Sequence, residues 1–170
     1  MLTAIGDDRP GLVSALSARL SAHGAGWERS QMSRLAGKFA GIVEVVVPGG
    51  AADALVDDLR GLAAEGLEVT VVRSQPPAAP VGDRWSLHVV GADRPGIVAE
   101  ISSLLSDRGI SIEELGTTAT HAPMAGGMLF EARAVLAAPA AADAGEVRRA
   151  LEALGDELMV DVELAEDVER

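Results

Sequence analysis

The sequence contains two copies of one pattern, and this internal repeat constrains the fold more than any other feature. Residues 5–13 read Ile-Gly-Asp-Asp-Arg-Pro-Gly-Leu-Val, and residues 90–98 read Val-Gly-Ala-Asp-Arg-Pro-Gly-Ile-Val. The match continues without a gap as far as Glu28 opposite Glu113. A repeat of this length indicates a duplicated domain, because solenoid repeats are shorter and need three or more copies.

The second copy carries extra residues around His121 to Ala125, between its predicted second and third strands. Beyond this insertion we expect Gly41 to correspond to Gly127, and Pro48 to correspond to Pro139. The two copies should therefore share one fold and differ mainly in the length of this connection.

The segment between the copies, Ser74–Asp83, contains three prolines in ten residues. Proline at this density prevents a continuous helix or a central strand. The sequence therefore predicts a first domain at 1–74, a proline-rich linker at 75–83 and a second domain at 84–170. Because the linker is short and each predicted sheet has exposed edge strands, we expect the two domains to pack side by side.

Within each copy, some segments show the apolar alternation of a strand and others show the apolar periodicity of a helix. The predicted order is strand, helix, strand, strand, helix, strand. The predicted strands are Leu2–Gly6, one marked by Trp27, Met32 and Leu35, Ile42–Val47 and Leu67–Val72 in the first copy, and Ser86–Gly91, Ile110–Glu113, Met128–Leu136 and Met159–Leu164 in the second. The predicted helices are those that end before Gly24 and Gly109, together with Ala52–Glu65 and Ala142–Leu154. This order predicts an α+β protein of two ferredoxin-like βαββαβ domains, each a four-stranded antiparallel sheet with two helices on one face.

The repeated Asp-Arg-Pro-Gly motif lies between the first strand and the first helix, where a small anion can bind. The start of a helix presents unpaired N–H groups and a partial positive charge that suit a carboxylate. Glycine allows close approach, and the aspartate can accept a hydrogen bond from an ammonium group. The sequence therefore predicts a ligand site for an α-amino acid in each copy, formed by Gly6, Asp8, Pro10 and Gly11, and by Gly91, Asp93, Pro95 and Gly96. We expect the second copy to be the stronger site, because its longer connection, with His121, Pro123 and Met124, can cover a neighbouring pocket.

The same motif also has a purely structural interpretation. Asp8 and Asp93 are of a type that favours helix capping, and a proline suits the first helical turn. Arg9 and Arg94 precede proline and are held extended, so they are either exposed to solvent or paired with a carboxylate of the neighbouring domain. Contact between these arginines and the ligand is a further alternative.

Composition excludes several other functions. The formal net charge of −12 argues against direct nucleic-acid binding, which needs clustered Lys and Arg. The chain has no cysteine, and His23, His88 and His121 lack the spacing of a helical metal pair. Neither a cofactor-binding fingerprint nor a serine on a nucleophile turn is present, so we expect no cofactor, no metal and no catalysis.

The termini and hydropathy indicate where the protein resides. Met1 directly precedes the first predicted strand, so we expect neither a leader nor a tail. The first residues lack the basic run and apolar core of a signal peptide. No apolar stretch approaches the ~20 residues that span a bilayer. We therefore expect a soluble cytoplasmic protein without membrane contact.

The strand, the Gly-x-Asp-Arg-Pro-Gly-[Leu/Ile]-Val motif and the amphipathic helix that ends at glycine resemble the ACT domain, once in each half. The tandem arrangement resembles the glycine cleavage system transcriptional repressor family. The resemblance implies a non-catalytic regulator that binds a small amino acid, such as glycine or serine, and acts through a protein partner such as a transcription factor. It also implies a homodimer. An alternative is an accessory subunit that controls an enzyme of amino-acid metabolism in trans, and a small enzyme is the remaining class.

Overall fold

The computed structural model describes residues 1–73, 82–122 and 127–166. The chain forms two compact units, Met1–Pro77 and Ala78–Arg170, called domain 1 and domain 2 below. Most of the predicted linker at 75–83 lies outside the described residues. Its limits, and the packing of the two domains against each other, stay predictions.

Each domain has the predicted order of elements and its own antiparallel sheet, with strand orders β2-β3-β1-β4 and β6-β7-β5-β8. Domain 1 consists of β1 (Leu2–Asp7), α1 (Leu12–Ala22), β2 (Gly26–Leu35), β3 (Lys38–Val46), α2 (Ala52–Arg60), a 3-10 helix (Gly61–Glu65) and β4 (Leu67–Val71). Domain 2 consists of β5 (Asp83–Ala92), α3 (Ile97–Ser106), β6 (Ser111–His121), β7 (Met128–Ala138), α4 (Ala144–Leu158) and β8 (Val160–Glu166). The predicted α+β fold of two βαββαβ domains is confirmed.

The helices of each domain cover one face of its sheet. The strands therefore alternate buried and exposed residues. In β1, Leu2 and Ala4 are buried whereas Thr3 between them is exposed. Leu16 of α1 and Leu59 of α2 belong to the same buried cluster as Leu2. Domain 2 has a separate cluster of the same design, so each repeat has its own hydrophobic core.

The second helix of each domain differs from its predicted extent. In domain 1, α2 ends at Arg60 and the chain continues as a 3-10 helix, which buries Leu62. In domain 2, the helix begins later than predicted because the Asp143 carboxylate caps it, accepting hydrogen bonds from Gly145 N at 2.8 Å and Glu146 N at 3.1 Å. It extends beyond Leu154 as far as the buried Leu158.

The strand register corrects the alignment of the two copies. Gly41 pairs with Ala4 in domain 1, and Ala132 pairs with Val89 in domain 2. Ala4 and Val89 occupy the same position in the gapless part of the repeat. Gly41 therefore corresponds to Ala132, and the predicted correspondence with Gly127 is wrong. A matching glycine is a weaker guide than register, because register decides which side chains face the core.

An ion cluster joins the two helices of domain 1. Asp58 of α2 accepts hydrogen bonds from Arg19 of α1 and from Nε2 of His23, the residue that follows α1, the latter at 3.1 Å. Arg19 also donates to Glu65 Oε1 at 2.9 Å. The hydrogen bond from His23, together with the hydrogen bond and charge of Arg19, holds the pKa of Asp58 below its usual value. The ionised Asp58 carboxylate therefore stabilises the folded domain.

This cluster predicts an acid-sensitive contribution to the stability of domain 1. Because the folded pKa of Asp58 is depressed, the contribution is present above the unfolded value of 3.8 and is lost as the pH falls through the folded value. Asp58→Asn should lower the urea midpoint of domain 1 at pH 7, measured by Trp27 fluorescence, and should shrink the difference between the midpoints at pH 7 and pH 3. Asp57→Asn is the control, because Asp57, within the part of the chain that the structure describes, pairs only with the exposed Arg60 of its own helix. An equal effect of both substitutions would contradict a specific role of the cluster.

Candidate functional site

The candidate site is a pair of equivalent segments, residues 8–11 and 93–96, called the motif loops below. They connect β1 to α1 and β5 to α3. Each loop ends in a glycine in the left-handed conformation, with φ of 97° at Gly11 and 104° at Gly96. These glycines occupy the N-cap positions, and no side chain caps either helix.

The structure corrects the capping interpretation of the motif. Asp8 and Asp93 lie three residues before the N-cap glycine, and neither carboxylate accepts a hydrogen bond from the helix. Pro10 and Pro95 immediately precede that glycine and are not in the first helical turn. Both corrections have one cause: the left-handed glycine turns the chain sharply, so the helix begins one residue after it.

Among the described residues, no side chain accepts a hydrogen bond from the first-turn N–H groups of α1 or α3, in contrast to α4 with its Asp143 cap. No atom lies within 4 Å of the position of a Cβ on Gly11. A Cβ on Gly96 would lie 3.2 Å from Glu100 Oε1. The space beside Gly11 at the α1 start is therefore open, whereas the α3 start has a carboxylate beside Gly96.

Gly6 and Gly91 have a packing reason to be glycine. A Cβ on Gly6 would collide with the carbonyl oxygen of Gly66. A Cβ on Gly91 would lie 2.7 Å from Met159 O and 2.7 Å from Val160 Cα. The first strand of each domain therefore passes directly against the backbone at the start of the last strand.

Each motif arginine donates to a backbone carbonyl of its own domain, and Arg9 is also exposed to solvent, as one predicted alternative has it. Arg9 donates to the carbonyl oxygen of Glu65, at the end of the 3-10 helix. Arg94 Nη2 donates to the carbonyl oxygen of Glu157 near the end of α4, at 3.1 Å. Because helix ends leave carbonyl groups unpaired, each arginine ties its motif loop to the end of the second helix.

Each motif loop also contacts the backbone at or just before the start of the third strand of its domain. Asp8 N donates to Gly37 O at 2.9 Å, and Asp93 N donates to Met128 O at 2.8 Å. The Asp8 carboxylate pairs with Arg34 Nη1 at 3.2 Å. Within the described residues, the Asp93 carboxylate forms no ion pair. The two aspartates are therefore equivalent in position and different in their pairing.

Residues of the longer connection in domain 2 were predicted to lie near its motif loop, and two other residues near the loops were not predicted. His121 ends β6 opposite Met128, whereas Pro123 and Met124 lie outside the described residues. Arg34 and Glu100 were not among the predicted site residues. Arg34 could have been identified from its position three residues before Gly37. A tight turn at Ala36–Gly37 brings the end of β2 back against the motif loop.

The described part of the chain limits other kinds of site. Among residues 1–73, 82–122 and 127–166, no three His, Asp or Glu side chains are grouped so that they can hold a metal ion. No helix in these ranges is long and apolar enough to cross a bilayer.

Comparisons with known proteins agree with the repeat. The profile of the ACT domain matches residues 1–72 and 87–165. The glycine cleavage system transcriptional repressor of Escherichia coli is 26% identical over 162 residues, which cover 93% of this chain and 84% of the repressor. A UPF0237 protein of Methanopyrus kandleri is 41% identical over 79 residues, or 46% of this chain and 82% of its own. The crystal structure of a protein of unknown function from Galdieria sulphuraria superposes with a TM-score of 0.87 and 32% identity, covering 98% of this chain and 96% of that chain.

Proposed function

The chain belongs to the ACT-domain family, and from that premise we propose that it is a non-catalytic regulatory protein that senses a small amino acid. The observation that carries the proposal is a helix start without a side-chain cap whose N-cap glycine follows an aspartate by three residues, present in both domains. Similarity to the glycine cleavage system transcriptional repressor supports action through a protein partner.

The motif loop offers complementary groups for both charges of an α-amino acid. The α-carboxylate accepts hydrogen bonds from the free N–H groups of the first helical turn, where the helix dipole also favours an anion. The ammonium group donates to the aspartate carboxylate, which forms a charge-assisted hydrogen bond. A side-chain carboxylate or an amine alone finds only half of this arrangement.

We propose domain 2 as the stronger site, with Gly91, Asp93, Pro95 and Gly96 around the ligand. In domain 1, Gly6, Asp8, Pro10 and Gly11 form the equivalent set, but Asp8 already pairs with Arg34. An exposed ion pair is worth only about 0–1 kcal/mol. Arg34 therefore weakens the domain 1 site without abolishing it.

A partner can be reached through the edges of the sheets. The outer strands are β2 and β4 in one sheet and β6 and β8 in the other, and strand edges readily pair with another chain. We propose a homodimer and a protein partner that binds in response to the amino acid. Light scattering at tens of micromolar tests the dimer. A pull-down with and without the amino acid separates a transcription factor from a metabolic enzyme as the partner.

A thermal-shift screen of the common amino acids tests the proposed function. A ligand at ten times its Kd stabilises the folded state by about 1.4 kcal/mol, which raises the Tm of a domain of this size by about 5–10 °C. Trp27 and Trp85, the two tryptophans of the chain, report on domains 1 and 2 separately in the variants Trp85→Phe and Trp27→Phe. If no amino acid raises the Tm of either domain, the proposal is wrong.

Glu100→Gln should tighten binding at domain 2 by about two- to fivefold. The Glu100 carboxylate lies beside Gly96, so it repels the ligand carboxylate. Calorimetry with the amino acid that the screen identifies measures the change. Glu146→Gln is the control, because Glu146 occupies the first turn of α4, which carries no motif loop. Equal affinity in wild type and Glu100→Gln would place the ligand carboxylate away from the α3 start.

A further inference from the structure

Domain 2 contains an apolar groove between α3 and the sheet. Its mouth is formed by Val98 and Leu115, which are 41% and 48% exposed, and its inner wall includes Phe130 and Ala132. The free volume is about 20 Å³, enough for roughly one water-sized group. The one polar residue in the lining, Ser102, donates its hydroxyl to Ala99 O at 3.0 Å, so the groove suits an apolar group.

The groove begins at the motif loop of domain 2. Ile97 and Val98 of its lining are the first two residues of α3, directly after Gly96. Phe130 of the lining pairs with Gly91 at the end of β5. A molecule held at the α3 start is therefore next to the mouth of the groove.

In domain 1 the chain itself fills the corresponding region. Met32 pairs with Gly41, and Thr117 pairs with Ala132, so Met32 and Thr117 occupy equivalent positions. Met32 packs against the domain 1 core. A Cβ on Gly41 would lie 2.7 Å from Met32 Cγ. The methionine side chain thus lies across Gly41, whereas domain 2 combines a short threonine with alanine.

We propose that the groove receives the side chain of the amino acid bound at the domain 2 motif loop, and that the protein therefore selects alanine, whose methyl group matches the free volume, over glycine. This inference rests on the proposed function. The internal comparison supports it, because an aliphatic side chain of the protein already occupies the equivalent place in domain 1. Each buried methyl group strengthens binding by about fourfold. A polar side chain gains nothing, because the groove offers it no free hydrogen-bonding partner.

The test is calorimetry with glycine, alanine and valine on the wild type and on the double variant Thr117→Met/Ala132→Gly. The double variant transfers the methionine–glycine pair of domain 1 into domain 2, which avoids the collision that methionine alone would make with Ala132. The wild type should bind alanine about fourfold more tightly than glycine, whereas valine, whose side chain is larger than the free volume, should gain no more than alanine. The double variant should lose this preference while its affinity for glycine stays within about twofold. Thr118→Met is the control, because the next residue along β6 faces the other side of the sheet.

A second variant keeps the test decisive if the double variant does not fold. Val98→Ala removes two methyl groups from the mouth, so it should reduce the preference for alanine over glycine by about twofold or more. Glycine bound as tightly as alanine by the wild type, or an unchanged preference in the folded variants, would overturn this inference while leaving the proposed function in place. Failure of the wild type to bind any amino acid would overturn the proposed function itself.

Discussion

Gly91→Ala is expected to destabilise domain 2 by about 3 kcal/mol, the upper end of the usual cost of overpacking. The added methyl would lie 2.7 Å from both Met159 O and Val160 Cα. Both are backbone atoms at the start of β8, so no side-chain rotation relieves the contact. Urea unfolding followed by Trp85 fluorescence, in the Trp27→Phe background, measures the loss.

Gly116→Ala is the matched control in the same sheet. No atom lies within 4 Å of a Cβ at Gly116 in β6, and its stability should stay within about 0.5 kcal/mol of the wild type. If Gly91→Ala were as stable as this control, close packing would not explain Gly91. Its place in the motif would then have to come from ligand access alone.

Asp93→Asn should weaken amino-acid binding at domain 2 by at least about tenfold, the usual cost of losing a hydrogen bond to a charged group. Asparagine keeps the shape and removes the charge that pairs with the ammonium group. Asp93 does not cap α3 and forms no ion pair within the described residues. The Tm of the free protein should therefore change little, so the loss of affinity is not a loss of folding.

Asp8→Asn is the matched change in domain 1, and it should have a smaller effect because Asp8 already pairs with Arg34. Calorimetry on both single variants separates the two sites. Equal losses would show that the ion pair in domain 1 does not weaken its site. Full affinity of Asp93→Asn would show that the Asp93 carboxylate does not bind the ammonium group of the ligand.

The fold was predictable because periodicity and repetition agree at most elements. Even the irregular β2, marked in the sequence only by Trp27, Met32 and Leu35, is a strand. The errors occur where backbone geometry decides. Whether Asp8 or Gly11 caps α1 depends on the left-handed φ of Gly11. The Asp-Arg-Pro-Gly sequence is compatible with either residue as the cap.

Long-range backbone contacts explain what the sequence could not predict about the site. Arg9 and Arg94 bind carbonyl groups of Glu65 and Glu157, and any residue can supply a carbonyl acceptor. Their partners therefore leave no signal in the sequence. The side-chain pair of Asp8 with Arg34 depends on a hairpin that brings β2 back to the motif loop. Hydrophobic patterning indicates the strands of this hairpin but not which charges meet.

The most direct test of amino-acid binding at the motif loop is an NMR titration of backbone amides in ¹⁵N-labelled protein. If the ligand carboxylate binds at the α3 start, the largest shift changes should occur at the amides of Ile97, Val98 and Ala99, the first turn of α3. The amides of Gly145 and Glu146 should hardly move, because the Asp143 carboxylate already accepts their hydrogen bonds. Shift changes concentrated away from the α3 start, with these three amides unmoved at saturation, would contradict the account.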